Sequence, residues 1–153
     1  MSTPDTTDSP EVVVAGVDGS ANSRAALAWA AEEASHRRCA LHVITAWSLP
    51  TPRTGGRAAP PSYVPEASTY QEQAQQLVER EKEAVLGENG SATCSAIRGR
   101  PLGVLLEAGR SARMLVVGSR GTRLRFGSVC DQLVRQAPCP VLVVPARRQR
   151  AGT

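Results

Sequence analysis

VVVAGVDGS, residues 12–20, is the most informative stretch for predicting the architecture of this chain. Its first six residues are a β-branched run, which is typical of a strand buried on both faces of a parallel sheet. The Asp18-Gly19 pair then favours a tight turn. Candidate caps for a following helix are Ser20, Asn22 and Ser23. The stretch therefore predicts strand, turn and helix, the repeating unit of an α/β fold.

The rest of the chain continues this alternation. Further strands are predicted at 41–47, 92–97, 114–117 and 141–144, and helices with one apolar face at 66–88, 102–109 and 128–137. Right-handed crossovers between such strands give a mostly parallel sheet with helices on both sides. The predicted fold class is therefore α/β, a doubly wound, Rossmann-like sheet of five parallel strands in the order 3-2-1-4-5.

That strand order also predicts the place of a ligand. The first and fourth strands are neighbours in it, and doubly wound sheets bind ligands beyond the carboxyl ends of the strands at such a switch point. Asp18 and Gly118 stand at those two ends.

The 153 residues suffice for one domain,. We expect a disordered segment at 1–10, a domain at 11–146 with a Pro/Gly-rich flexible loop at 48–68, and a basic tail at 147–153. The polar, acidic N-terminus is no secretory signal, and no apolar run approaches the roughly 20 residues that a membrane-spanning helix needs. We therefore expect a cytoplasmic protein with no membrane segment.

Positive charge is concentrated in the second part of the chain. Residues 1–90 carry seven basic and twelve acidic side chains, whereas 91–153 carry eleven and two. All the basic residues except Lys82 are arginines, which favour multidentate contacts with phosphate or carboxylate. Nucleic acid is not the expected partner, because Phe126 is the single aromatic residue of the second part and no zinc-finger or RNA-recognition signature appears.

The cysteines are predicted to be reduced thiols that help to fill the core. They form no C-x-x-C pair, and the two histidines, His36 and His42, add no zinc-like spacing. The cysteines are Cys39, Cys94, Cys130 and Cys139.

The segment GSRGTRLRFGS, residues 118–128, can bind an anion. Its glycines permit close backbone approach, and Ser128 opens a helix whose free N–H groups favour phosphate. The alternative is that the glycines only shape a turn and the arginines only solvate it. Asp18 has a similar alternative, because Asp-Gly after a strand is a common turn pair. The segment is neither a Walker A loop nor G-x-G-x-x-G.

Four motifs together resemble the universal stress protein family. They are VVVAGVDGS at 12–20, GRP at 99–101, LVVGSRG at 115–121 and GSVCDQLVRQAPCPVLVVP at 127–145. The resemblance covers about 12–145. The resemblance implies the five-stranded fold predicted above. Members of this family that bind nucleotide carry the pattern G-x2-G-x9-G-[ST] after the fourth strand.

The resemblance implies a site for ATP with magnesium. In this sequence Asp18 would approach the ribose or a magnesium ion held with the ATP phosphates. Residues implied to hold the phosphates are Gly118, Gly121, Gly127 and Ser128, and those implied to border the adenine are Gly16, Val17 and Ala46. Ser119, Arg120 and Val129 complete the predicted site. The family further implies a homodimer formed through the last strand, by Val141, Leu142, Val143 and Val144.

One departure from the pattern bears on function. Five residues, TRLRF, lie between Gly121 and Gly127, where the pattern has nine. Both ends of the loop are retained, so we predict an ATP-binding, non-catalytic stress-response module that acts as a homodimer. The alternative is a family member that no longer binds nucleotide and works by protein–protein interaction with partners that the sequence does not identify.

Catalysis is not the favoured interpretation of the sequence. No lysine lies near the glycine loop, and His42 falls inside a strand, where a hydrogen-bonded core imidazole is expected rather than a base. Slow hydrolysis by a metal-bound water near Asp18 is left open. A phosphorelay receiver is excluded. Of the residues that such a receiver requires, only Asp18 is present.

Overall fold

The computed structural model describes residues 11–50, 65–119 and 128–145. Strands alternate with helices along these ranges. The strands are β1 (Val12–Gly16), β2 (Ala40–Trp47), β3 (Thr93–Arg98), β4 (Met114–Gly118) and β5 (Val141–Val144), and the helices are α1 (Ala21–Arg37), α2 (Ala67–Leu86), α3 (Pro101–Gly109) and α4 (Ser128–Gln136). All strand pairs are parallel, in the order β3-β2-β1-β4-β5. The predicted fold class and strand order are confirmed.

Helix α2 and strand β3 differ slightly from their predicted bounds. Glu66 is the N-cap of α2, so the helix begins at Ala67 and takes in the last two residues of the predicted 48–68 loop. It ends at Leu86, two residues early, because Gly87 adopts φ 75° and donates its N–H to the carbonyl of Glu83 at 2.9 Å. Strand β3 lies one residue later than predicted. The predicted segment 1–10, the tail 147–153 and 51–64 of the loop lie outside the described residues.

The sheet has an apolar core on each face. Successive residues of β1 point to opposite faces, so Val13 belongs to the core under α1 and α2, whereas Val14 belongs to the core under α3 and α4,. Leu27 of α1 is fully buried in the first core and Leu133 of α4 in the second. Both faces of the central strands are therefore covered, as the continuous apolar run of β1 predicted.

Among the three candidate caps of α1, Ser20 is the one that the structure uses. The backbone N–H of Ser23 donates to the Ser20 Oγ at 3.2 Å, and the Ser23 hydroxyl donates to the Ser20 carbonyl at 3.0 Å. These bonds fix the start of α1 three residues after Asp18. The predicted ligand end of the sheet is thereby tied to the first turn of this helix.

Helices α1 and α2 are joined by an ion pair. Arg24 donates from Nε to the Glu81 Oε2 at 2.8 Å and from Nη2 to the Glu81 Oε1 at 3.0 Å. This contact raises the pKa of the Arg24 guanidinium. Because the Glu81 side chain is buried, the two-pronged contact satisfies a carboxylate that would otherwise lose its solvation,.

All four cysteines are free thiols, as predicted. Burial raises the pKa of the thiols of Cys39, Cys94 and Cys139, which keeps them protonated near neutral pH,. Within the described ranges, no helix is both long enough and apolar enough to cross a membrane.

Candidate functional site

A cleft opens at the carboxyl ends of β1, β2 and β4, at the predicted switch point. Its lining consists of Gly16, Val17, Asp18, Ser20, Asn22, Ser23, Ile44, Thr45, Ala46, Pro101, Val104, Leu105, Val117, Gly118, Val129 and Cys130. Six residues of the predicted nucleotide site are among them: Gly16, Val17, Asp18, Ala46, Gly118 and Val129. The structure thus brings the two ends of the predicted site, which are about 100 residues apart in sequence, to one place.

Gly16 lies in the wall of the cleft, where two apolar side chains pack closely against it. A Cβ at this position would lie 3.1 Å from the Leu105 Cδ2 and 3.4 Å from the Val117 Cγ1. Leu105 belongs to α3 and Val117 to β4, so both side chains already pack against residue 16, and a side chain there would have to displace them,. The wall of the cleft beside Gly16 is therefore apolar.

Ala46 presents its backbone to the cleft. The β1–β2 ladder ends where the Val17 N–H donates to the Ile44 carbonyl at 2.9 Å. Alternate residues of a parallel strand turn their backbone groups to the same side, so Ala46 faces the β1 side two residues beyond Ile44. Within the described residues no strand continues there, and the N–H and carbonyl of Ala46 therefore face the cleft.

Asp18 lies at the exposed rim of the cleft and builds the turn after β1. Its Oδ1 accepts the backbone N–H of Ser20 at 2.9 Å, and its own N–H donates to the Ser23 hydroxyl at 3.2 Å. This is the local side-chain-to-backbone bond that makes aspartate favourable in turns. Asp18 therefore stabilises the turn, as the alternative interpretation predicted. The same residue also borders the cleft.

Three helices begin at the cleft. Ser20, Asn22 and Ser23 contribute the first turn of α1, Pro101 that of α3, and Val129 that of α4. Helix N-termini carry partial positive charge and free N–H groups, and the first turns of α1 and α3 contain no acidic residue,. The first turn of α4 carries Asp131, so an anionic ligand is favoured by the helix starts of α1 and α3.

Gly118 is packed against α1. A Cβ there would lie 2.6 Å from the carbonyl oxygen of Asn22 and 3.0 Å from the backbone nitrogen of Ser23. The Asn22 Nδ2 donates to the carbonyl of Ser119 at 2.6 Å, and the Cys130 thiol donates to the carbonyl of Gly118 at 3.3 Å. The first glycine of the predicted phosphate loop is therefore also required for packing the end of β4 against α1.

The other loop residues of the predicted site follow Gly118 in the chain. Arg120, Gly121 and Gly127 lie outside the described residues, and Ser128 is the first residue of α4. Ser119 follows β4 and donates its N–H to the carbonyl of Val144 at 2.8 Å.

Several cleft residues were not predicted from the sequence. Thr45 and Ile44 come from the second strand, Val104 and Leu105 from α3, and Cys130 from α4. The helix at 102–109 was predicted with one apolar face, but a helical period does not tell how far along the sheet a helix lies. Asn22 was considered only as a cap, and its contact with Ser119 depends on tertiary packing.

His42 lies away from the cleft in the β2–β3 pair, as predicted. Its Nε2 is 2.8 Å from the Ser95 Oγ, and burial lowers the pKa of the imidazole. Within the described residues, no group of three or more histidine, cysteine, aspartate or glutamate side chains is arranged to hold a metal ion.

Comparison with known proteins identifies one family. A model of the universal stress protein family matches residues 11–145. A universal stress protein of Mycobacterium tuberculosis is 37% identical over 149 residues, which cover 92% of this chain and 51% of the relative. One of Mycobacterium bovis is 34% identical over 145 residues, covering 86% of this chain and 47% of the relative. The chain spans about half the length of the curated relatives it matches.

Solved structures share the fold. A universal stress protein in complex with cAMP superposes with a TM-score of 0.68 at 22% identity, covering 88% of this chain and 96% of that one. A family protein from Arabidopsis thaliana with AMP bound gives a TM-score of 0.58 at 18% identity, covering 94% and 97%.

Proposed function

The chain belongs to the universal stress protein family, and we propose that its cleft binds an adenine nucleotide, with ATP and magnesium as the full ligand. The observation that carries the proposal is the cleft itself, which combines an apolar slot beside Gly16, free backbone groups at Ala46 and three helix N-termini. Two structural neighbours that hold cAMP and AMP support the choice of adenine. The protein is a binding module in this proposal, with no catalytic residue assigned.

The adenine lies in the slot beside Gly16 and Val17, with its edge at Ala46. A backbone N–H and carbonyl on one residue offer a donor and an acceptor side by side, which match a ring nitrogen and the exocyclic amino group of adenine. Guanine presents a donor and an acceptor in the reverse order at the corresponding edge. We therefore expect adenine nucleotides to bind more tightly than guanine nucleotides.

The phosphates lie toward the start of α4. Gly118, Ser119 and Val129 border this region, and the sequence pattern adds Arg120, Gly121, Gly127 and Ser128 to the same role. Backbone N–H groups at the start of a helix can stabilise a phosphate group without a lysine side chain. The second part of this chain is rich in arginine, and arginine also favours contacts with phosphate,.

Asp18 is proposed to contact the ribose or, together with the ATP phosphates, a magnesium ion. Magnesium is commonly held by one or two carboxylates plus substrate phosphates, so a single aspartate at the rim fits this ion. The hydrogen bond from Ser20 occupies the Oδ1 and orients the carboxylate. A magnesium ion beside Asp18 would offset the negative charge of the phosphates, and Asp18 would position the ion.

The alternative function is partner binding without nucleotide. The observation in its favour is the five-residue spacing between Gly121 and Gly127, which shortens the predicted phosphate loop. In that case the cleft remains as a structural feature and partner contacts lie elsewhere on the domain.

Calorimetric titration of the purified chain separates the two functions. We expect ATP with magnesium to bind with a dissociation constant on the order of micromolar and GTP to bind at least about tenfold more weakly. Mass spectrometry of the denatured protein checks for nucleotide retained through purification. If millimolar ATP, ADP and AMP all give no heat and no nucleotide is retained, the partner-binding alternative replaces this proposal.

Two substitutions at Asp18 separate its turn role from a ligand role. Asp18→Asn keeps an oxygen that accepts the Ser20 N–H but removes the charge, whereas Asp18→Ala removes both,. We expect Asp18→Asn to weaken binding of magnesium and ATP about tenfold and to lower the Tm less than Asp18→Ala does. Glu107→Gln, at the far end of α3, is the control. Unchanged affinity in Asp18→Asn would reduce Asp18 to a turn residue.

A further inference from the structure

Strand β3 is an edge strand whose outer side is occupied by side chains of α2. The Gly99 N–H donates to the Trp47 carbonyl at 2.8 Å, which places the odd-numbered residues of β3 toward β2. Cys94 and Ala96 therefore turn their backbone groups outward, where a further strand would pair with them.

Two glutamines one helical turn apart bind these outward groups. The Gln75 Nε2 donates to the carbonyl of Cys94 at 3.2 Å, and the Ala96 N–H donates to the Gln75 Oε1 at 3.2 Å. The Gln71 Nε2 donates to the carbonyl of Ala96 at 3.1 Å. A carboxamide has the donor and acceptor of a peptide group, so Gln75 makes the pair of bonds that a residue of an added strand would make.

The orientation of both carboxamides is fixed by neighbours that can act in only one role. The Trp47 Nε1 can only donate, and it does so to the Gln71 Oε1 at 2.5 Å,. The Glu79 carboxylate accepts from the Gln75 Nε2 at 3.0 Å. Each glutamine is therefore held with its oxygen and nitrogen in the order that β3 requires, and neither is a loosely attached surface side chain.

The opposite edge of the sheet lacks such a cover. The carbonyls of Pro140 and Val144 accept from β4 and from Ser119 just beyond it, so Val141 and Val143 turn their backbone groups outward. Within the described residues, no side chain hydrogen-bonds to the outer side of β5. The two edges of this sheet therefore differ in their capacity to accept another strand.

We propose that Gln71 and Gln75 close the β3 edge to the addition of a strand from a second copy of this chain. A sheet with two open edges can grow into a filament, whereas a sheet with one open edge stops at a pair. The inference does not depend on nucleotide binding.

The test opens the edge without shortening the side chains. Gln71→Met with Gln75→Met preserves length and helix propensity but removes the bonds to β3. Gln73→Met with Gln76→Met, at exposed positions of the same helix, is the matched control. Light scattering after gel filtration gives the molar mass over a range of concentrations, and amide hydrogen exchange gives the protection of the Ala96 N–H.

If the glutamines close this edge, the Ala96 amide should exchange at least about tenfold faster in the double variant than in the control. The molar mass of the double variant should exceed that of the control by one chain or more and should grow with concentration. An unchanged mass despite faster exchange overturns the proposal, because the edge is then open and nothing adds to it. Unchanged exchange also overturns it, since the glutamines then give no protection.

The wild-type chain provides a test that needs no variant. An Ala96 amide that exchanges at the rate of an unfolded peptide contradicts the contact with Gln75, whereas strong protection at this outward-facing position supports it. If the double variant loses its circular dichroism, Gln75→Met alone is compared with Gln76→Met by the same two measurements.

Discussion

Gly118 ends β4 against the first turn of α1, where the backbone of Asn22 leaves no room for a side chain. The methyl group of Gly118→Ala would have to displace backbone atoms 2.6 to 3.0 Å away, and backbone yields less easily than a flexible side chain,. We expect this variant to lower the free energy of unfolding by about 1–3 kcal/mol, measured by urea denaturation.

Gly103 is the matched control for this glycine. It lies in α3, where a methyl group would meet no atom within 4 Å, so Gly103→Ala is expected to leave stability unchanged or raise it by up to about 1 kcal/mol,. Equal effects of the two alanines would contradict the packing role of Gly118. A loss of nucleotide affinity in Gly118→Ala is informative only beside this comparison, because the residue has two roles.

At the scale of elements, β2 and β3 are joined by the contact between His42 and Ser95, which makes stability depend on pH. Burial lowers the pKa of His42 in the folded state below its ordinary value of 6.5. As the pH falls below about 6.5, the unfolded chain therefore takes up a proton before the folded one does. The stability contributed by neutral His42 is fully present above that pH and is lost as the pH falls through the folded pKa.

His42→Gln should accordingly lose less stability between pH 7.5 and pH 5 than the wild type. The change in urea midpoint over this range measures the effect, and His36→Gln, at an exposed position in the last turn of α1, is the control,. A variant at His42 that keeps the full pH dependence would assign that dependence to other groups.

The elements also show what a sequence can predict. The Val12–Gly16 strand, the helix that follows it and the alternation of strands and helices depend on local sequence patterns, and each was predicted and confirmed. The contacts of Gln71 and Gln75 were not foreseen, because their spacing on α2 carries no information about where that helix lies on β3. The apolar face of the helix at 102–109 was likewise predicted, but not that Leu105 of this helix borders the cleft.

The candidate site was predictable to the extent that it depends on strand ends. Asp18 and Gly118 follow directly from strand order, since neighbouring parallel strands end at one edge of the sheet. The adenine contact proposed for Ala46 depends on the register of β1 against β2, which sets where the ladder stops and where backbone groups become available. Packing fixes this register, and no local pattern in the sequence reports it.

At the scale of the whole molecule, β5 is the edge at which the homodimer implied by family resemblance would form. Proline at position 143 tests this with little disturbance of the monomer. The N–H of Val143 faces outward, so removing it costs no bond to β4 but prevents that N–H from pairing with a strand of another copy,. Val143→Thr keeps the N–H and the shape of the side chain, and it serves as the control.

We expect the wild type and Val143→Thr to have twice the molar mass of Val143→Pro in light scattering, with the circular dichroism and the urea midpoint little changed. Because the cleft lies at the ends of β1, β2 and β4, nucleotide affinity in Val143→Pro should stay within about twofold of that of Val143→Thr if each chain binds independently,. A dimer that persists in the proline variant would show that the copies meet through another surface. A dimer lost together with nucleotide binding would mean that pairing at β5 stabilises the cleft.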